Sequence, residues 1–136
     1  MAGFSLKSNL NEVAYRRFTI ASQAYTIGDA VMRSTSAGTV IPATSSTSMD
    51  TLVGVAMETV ASSATSLLVA LIEPSQTWEC EVANSVSAAH NQMKMVLTDA
   101  NTVNNTGTDS VTDAAIVMQL AVSGSKGIFA FRGDAT

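Results

Sequence analysis

The chain has 136 residues, 46% hydrophobic but only 5% aromatic, with 13% charged residues and a formal net charge of −4. That charge content is about half the roughly 25% of an average soluble domain, and it is the reverse of the apolar-poor, charge-rich composition of disordered chains. A single cysteine excludes a disulfide scaffold, and the acidic balance argues against general nucleic-acid binding.

Residues 1–18 read as an N-terminal arm ahead of a single β-rich body over 19–136. Leu6, Leu10 and Val13 follow the i, i+4, i+7 spacing, which predicts a short amphipathic helix across residues 5–14. The opening residues contain no apolar core of signal-peptide length. The longest apolar run, Leu67–Ile72, has six residues, whereas a membrane span needs about 20, so no membrane is expected as a partner. Residues 1–33 carry Lys7, Arg16, Arg17 and Arg33 against Glu12 and Asp29, while residues 34–93 hold five acids and no Lys or Arg. A basic leading segment on an acidic body suits an arm that docks on an acidic surface. Phe4, Tyr15 and Phe18 add aromatic residues to that arm, and Arg with aromatics is the commonest hot-spot composition. Phe4, Tyr15, Arg16, Arg17 and Phe18 are therefore the candidate contact residues.

Beyond the arm the dominant period is two. Phe18–Ala21, Ala30–Arg33 and Thr39–Ile41 are short strand candidates. Val53, Val55 and Met57 are placed on one face of another, interrupted by Gly54. The continuous run Leu67–Ile72 suits a strand covered on both faces. Trp78, Cys80 and Val82 alternate with Thr77, Glu79 and Glu81 as a half-buried strand does. Met93, Met95 and Leu97 alternate with Lys94 and Thr98. Ile116, Met118, Leu120 and Val122 form an apolar face opposite Gln119, and Phe129 and Phe131 do so opposite Arg132. Turn chemistry separates these runs at Gly28-Asp29, Ala37-Gly38, Pro42–Ser48, Glu73–Ser75, Asn104–Gly107 and Ser123–Gly127. Pro42–Ser48 reads as a mobile surface loop. Ser85–Gln92 admits a helical turn or two, and Ser110–Asp113 has the form of a helix cap. No internal repeat of fixed period is evident. Many short strands at close spacing point to a barrel or sandwich.

Catalytic constellations do not assemble. His90 is the only histidine and stands in a polar stretch. Cys80 lies on the apolar face of its strand between Glu79 and Glu81, whose charges disfavour a thiolate. Asp99 and Asn101 fit the first and third positions of a calcium loop, but Val103 and Asn104 occupy the fifth and sixth, and the match fails. Asn104-Asn105-Thr106 is a formal glycosylation acceptor without a secretion route. Arg132-Gly133-Asp134 is too short to carry an adhesion function. No enzymatic activity, cofactor or metal is expected.

The linear order Ile27-Gly28-Asp29-Ala30-Val31, Gly38–Ala43, Leu52-Val53-Gly54-Val55-Ala56, Leu67–Ile72 and Thr77–Val82 resembles the head decoration (cement) proteins of tailed bacteriophages. Leu97–Asn104, Ile116–Val122 and Ile128–Arg132 are similar to the C-terminal portions of phage head accessory proteins. The resemblance covers residues 25–132. It implies a β-barrel or β-tulip body with little helix and an extended N-terminal arm, usually a homotrimer. It also implies a place on the outer capsid surface of the virion after synthesis in the host cytoplasm, with the major capsid protein as partner. The 17 Ser and 16 Thr among 136 residues fit a surface displayed in many copies, because long charged side chains would cost ordering entropy at every contact. Two other classes stand beside this one. A fibre or carbohydrate-binding β-domain needs exposed aromatics, and a small barrel enzyme needs a catalytic set.

Overall fold

A computed structural model describes residues 3–8, 13–34, 38–47, 50–73, 75–105 and 116–131. Among the described residues eleven strands follow in chain order: β1 (Ser5–Ser8), β2 (Tyr15–Thr19), β3 (Ala30–Arg33), β4 (Val40–Pro42), β5 (Leu52–Ala56), β6 (Ser66–Leu71), β7 (Thr77–Val82), β8 (Lys94–Asp99), β9 (Thr102–Asn104), β10 (Val117–Ser123) and β11 (Lys126–Phe131). One 3₁₀ turn, Ala88–His90, is capped by the Ser87 hydroxyl. The protein is thus nearly all β, as its period-two patterning predicts.

The strands form two rings. In the first, the order β2-β6-β5-β3-β4 is antiparallel throughout, and a parallel bridge between Ile20 and Val40 joins its two ends. In the second, β7-β11-β10-β8-β9 runs antiparallel and is closed by a parallel pairing of β9 with β7, at Glu81↔Thr102 and Val82↔Val103. Numbered from the first strand of each, the two orders are identical.

The registers are identical as well. Val31 pairs with Gly54 as Met95 pairs with Val117. Gly54 pairs with Leu71 as Val117 pairs with Phe131. Leu67 pairs with Phe18 as Gly127 pairs with Cys80. Ile20 meets Val40 as Val82 meets Val103, and Arg33 pairs with Val40 as Leu97 pairs with Val103. Because each step round one ring pairs the residues that correspond to those paired in the other, a walk round either ring re-enters its starting strand with the same displacement along it, the stagger that fixes the shape of a small barrel. The sequence shows no repeat, but the fold contains one unit built twice.

Each ring encloses apolar side chains. Ile20, Tyr25, Val31, Val40, Ala56, Leu67 and Val69 fill the first, with Phe18 and Val53 against them. Cys80, Met95, Val103 and Phe129, with Val82 at the margin, belong to the second. That second core is larger because the outward residues of the first ring, Ala30, Val55 and Ala70, also pack into it, together with Phe4, Trp78, Ile116 and Phe131. The β6 run is consequently covered on both faces, with Leu67 and Val69 in one core and Ala70 in the other. Backbone bonds stitch the seam: Ala30 N–H donates to Ala100 O at 2.7 Å, Gly3 N–H to Asn101 O at 3.1 Å and Phe4 N–H to Gly28 O at 2.8 Å.

Several local expectations are corrected. Residues 5–8 are not helical; β1 pairs antiparallel with β7, and strand pairing overrides the helical spacing of Leu6 and its partners. Val53 and Val55 face opposite cores because the β3–β5 ladder shifts register between Val31 and Met32, and one extra residue flips the alternation. On β10 the faces are reversed: Val117 and Gln119 are fully buried, while Val122 is 38% exposed. Within Pro42–Ser48, Thr47 is buried, and its hydroxyl accepts from Thr44 N–H at 2.8 Å and donates to Met32 Sδ at 2.9 Å. Ser110–Asp113 and Arg132 lie outside the described residues.

Candidate interaction site

The segment singled out by charge and aromatic content is largely β2. Tyr15 is 55% exposed, the highest among the large hydrophobic residues described. Arg16 and Arg17 are exposed beside it. Arg17 Nη1 donates to Glu58 Oε1 at 2.9 Å and approaches Ser66 Oγ at 3.5 Å. The same Glu58 oxygen accepts from Leu68 N–H at 3.0 Å. That backbone donor first, and the Arg17 guanidinium second, hold the Glu58 carboxyl below the usual carboxylate range. The pair clips β2 to the segment after β5, with Ser66 and Leu68 of β6 bonded to the same two side chains. Arg16 has no hydrogen-bonding or ionic side-chain partner among the described residues.

Alternation sorts the neighbours. Tyr15 and Arg17 pair with Ala70 and Leu68, whereas Arg16 and Phe18 pair with Val69 and Leu67, whose side chains fill the first core. Phe18 accordingly packs against that core, and Arg16 lies on the same side near the start of the strand. Phe4 is elsewhere. It is 1% exposed, and its ring sits 4.8 Å from that of Phe131, which in turn meets Trp78 edge-on at 6.1 Å. The structure therefore brings Tyr15, Arg16 and Arg17 together on an exposed strand, turns Phe18 inward and assigns Phe4 to the core between the rings.

The other singled-out residues have structural partners. Cys80 is buried, and desolvation first, then the nearby Glu81 charge, pushes its thiol far above the ordinary range. Its Sγ donates to Asn101 O at 3.5 Å. His90 ends the 3₁₀ turn. Beside that turn, Gln119 Nε2 donates to Ser87 O at 2.7 Å and to Asn91 Oδ1 at 3.0 Å, while Gln119 O accepts from Gln92 N–H at 2.6 Å. Gln119 thus clamps the turn to β10, a role that its lone polar position in an apolar run did not announce. Asp29 accepts from Thr26 N–H at 3.0 Å and from Asn101 Nδ2 at 3.4 Å, holding the turn before β3 against the second ring. Among the described residues, no group of three or more His, Cys, Asp or Glu side chains is placed to hold a metal ion.

No protein-family model matches the chain, and no curated protein matches it.

Proposed function

We propose that this chain is a structural virion protein that decorates and reinforces the outside of an icosahedral phage capsid by bridging subunits of the major capsid protein. The observation that carries the reading is β2: Tyr15, Arg16 and Arg17 stand exposed on one strand of an otherwise acidic chain. Arg and Tyr give large interface energies per residue. Repetition over a lattice multiplies weak individual contacts through effective concentration. The resemblance to head decoration proteins supplies the partner and the homotrimeric state.

A carbohydrate-binding or fibre module is the second reading. It draws on exposed aromatic platforms, and Trp78, the residue best suited to one, is fully buried. Electron microscopy of heads incubated with the full chain tests the proposal. Density on the outer lattice is expected with the parent protein, and its loss with the double variant Arg16→Glu, Arg17→Glu, whose circular dichroism should match the parent. Full occupancy by that variant, or no density at all with the parent, would reject the reading.

A further inference from the structure

We propose that the open edge of β2 is an acceptor for a β-strand from a different protein, one whose carboxylates line the face of the sheet that Arg16 occupies. This rests on the reading of Tyr15–Phe18 as the contact segment and adds the manner and chemistry of the contact.

The precedent lies within the chain. In the second ring, β1 docks on β7 with the register Ser5↔Glu79, Leu6↔Trp78 and Ser8↔Thr77. The shared stagger of the two rings carries Thr77, Trp78 and Glu79 onto Tyr15, Arg16 and Arg17. The slot that β1 fills on β7 is therefore the slot beside the first half of β2. Among the described residues no strand occupies it, because β2 ends its sheet and meets β4 only at Ile20.

The backbone of β2 is oriented for such an addition. Leu71 N–H donates to Ala14 O at 2.9 Å, and Ile20 N–H donates to Thr65 O at 3.3 Å. Between them the β2–β6 pairing runs without a shift. Hydrogen-bonded pairs alternate in an antiparallel ladder, so Arg16 and Phe18 direct their backbone groups to β6. Tyr15 and Arg17 direct theirs to the open side. An edge of this kind is a template for a further strand.

Charge decides which strand. β1 sets Lys7 3.5 Å from Glu79, but the counterpart of Glu79 in the first ring is Arg17. A β1 from a second copy would bring Lys7 onto Arg17. Two β2 strands paired about a two-fold axis would gather four guanidinium groups. Like charges directly opposed across a ladder are destabilising, so both self-pairings are disfavoured and an acidic strand from another protein is favoured. Arg16, without a partner among the described residues, is the charge that such a strand would neutralise.

Amide hydrogen exchange on the full chain tests this with three capped peptides: alternating Thr and Glu, alternating Thr and Lys, and the chain's own Phe4–Ser8 segment. The Glu peptide should slow exchange at the Tyr15 and Arg17 amides by about tenfold, the protection of one added hydrogen bond. The Arg16 and Phe18 amides, already bonded to β6, should not change. Tyr15→Pro removes an edge N–H at the first position of the strand, where proline is tolerated, and keeps both arginines. It should abolish the protection at Arg17, while Tyr15→Ala retains it, both variants melting near the parent. Equal protection by the Lys peptide or the chain's own segment would overturn the proposal, as would no protection by any peptide. Binding of the Glu peptide without protection at Tyr15 and Arg17 would mean charge contact alone: strand addition would fall, and the contact reading would stand.

Discussion

The two rings share strand order and stagger, yet almost nothing else. At the seven inward positions that correspond, the first ring has Phe18, Ile20, Val31, Val40, Ala56, Leu67 and Val69, and the second has Cys80, Val82, Met95, Val103, Gln119, Gly127 and Phe129. Only Val40 and Val103 are the same residue. The bulk is redistributed. Where the first ring has Leu67 beside Val69, the second has Gly127 beside Phe129, and a Cβ on Gly127 would lie 2.5 Å from Phe129 Cζ. One aromatic ring has taken the space of two aliphatic side chains. A ring of this size is thus specified by alternation and register, while its filling differs from one ring to the other.

The sharpest way to break the equivalence is at Trp78 and Arg16, which occupy one position in the two rings. Trp78 is fully buried, and Trp78→Ala should cost about 3–5 kcal/mol in chemical denaturation. Arg16→Ala should change stability by no more than about 0.5 kcal/mol, as exposed substitutions do. Equal losses at both sites would show that the rings do not differ in what covers that edge.

A second comparison concerns Gly54 and Val117. A Cβ on Gly54 would stand 2.1 Å from the Ala70 carbonyl oxygen, and backbone cannot step aside as a side chain can. Gly54→Ala should destabilise by about 3 kcal/mol, the upper range of overpacking, with the loss seen in the denaturant midpoint. In the second ring Val117 fills this place, so the approach of the paired strands differs between the rings. A neutral Gly54→Ala would refute that difference.

The Gly127–Phe129 exchange predicts coupling. Gly127→Ala alone should cost about 1–2 kcal/mol, because the neighbour is the far end of an aromatic side chain. Combined with Phe129→Leu, the two losses should fall short of additivity by about 1 kcal/mol, as residues sharing one space do. Strict additivity in a double-mutant cycle would mean that the two positions do not share volume.

The smallest expected effect is electrostatic. Glu58 has its pKa lowered in the folded state, by the Leu68 N–H and then by Arg17. A depressed carboxyl contributes stability that is present above its unfolded pKa and lost as pH falls through the folded one. Stability should therefore decline more steeply on acidification in the parent than in Glu58→Gln, with the curves converging at the acid end. Parallel curves would show that the Arg17–Glu58 pair adds nothing at its exposed site.

These contrasts explain what the sequence disclosed. Strands whose inner residues alternate with polar neighbours, such as Trp78–Val82 and Met93–Leu97, were legible because burial on one face leaves a period of two. Leu67–Ile72 was legible as a strand buried twice. The bulged strands were not. The extra residue on β5 separates Val53 from Val55, and on β10 the buried Gln119 satisfies the 3₁₀ turn and so takes an inner position that hydropathy assigns to Met118. The duplication leaves no repeat in the sequence because equivalent positions hold different residues and the spacing between them drifts, from 60 at Leu67 and Gly127 to 64 at Val31 and Met95. At the candidate site, the arginines beside Tyr15 carried a compositional signal that survived folding into a strand. Phe4 carried the same signal but was claimed by the seam, where its aromatic ring meets Phe131.

The β2–β6 ladder also has a mechanical meaning. It joins five consecutive residue pairs without interruption, from Tyr15↔Ala70 to Thr19↔Ser66, whereas β2 touches β4 at the single Ile20–Val40 bridge. A force applied along β2 loads all the ladder bonds together in shear, and they yield only as a group. A force applied across the strand opens the pairs one after another, beginning at the end that is pulled. The sheet resists sliding and yields to peeling, which makes the direction of pull, more than its size, the determinant of when this edge lets go.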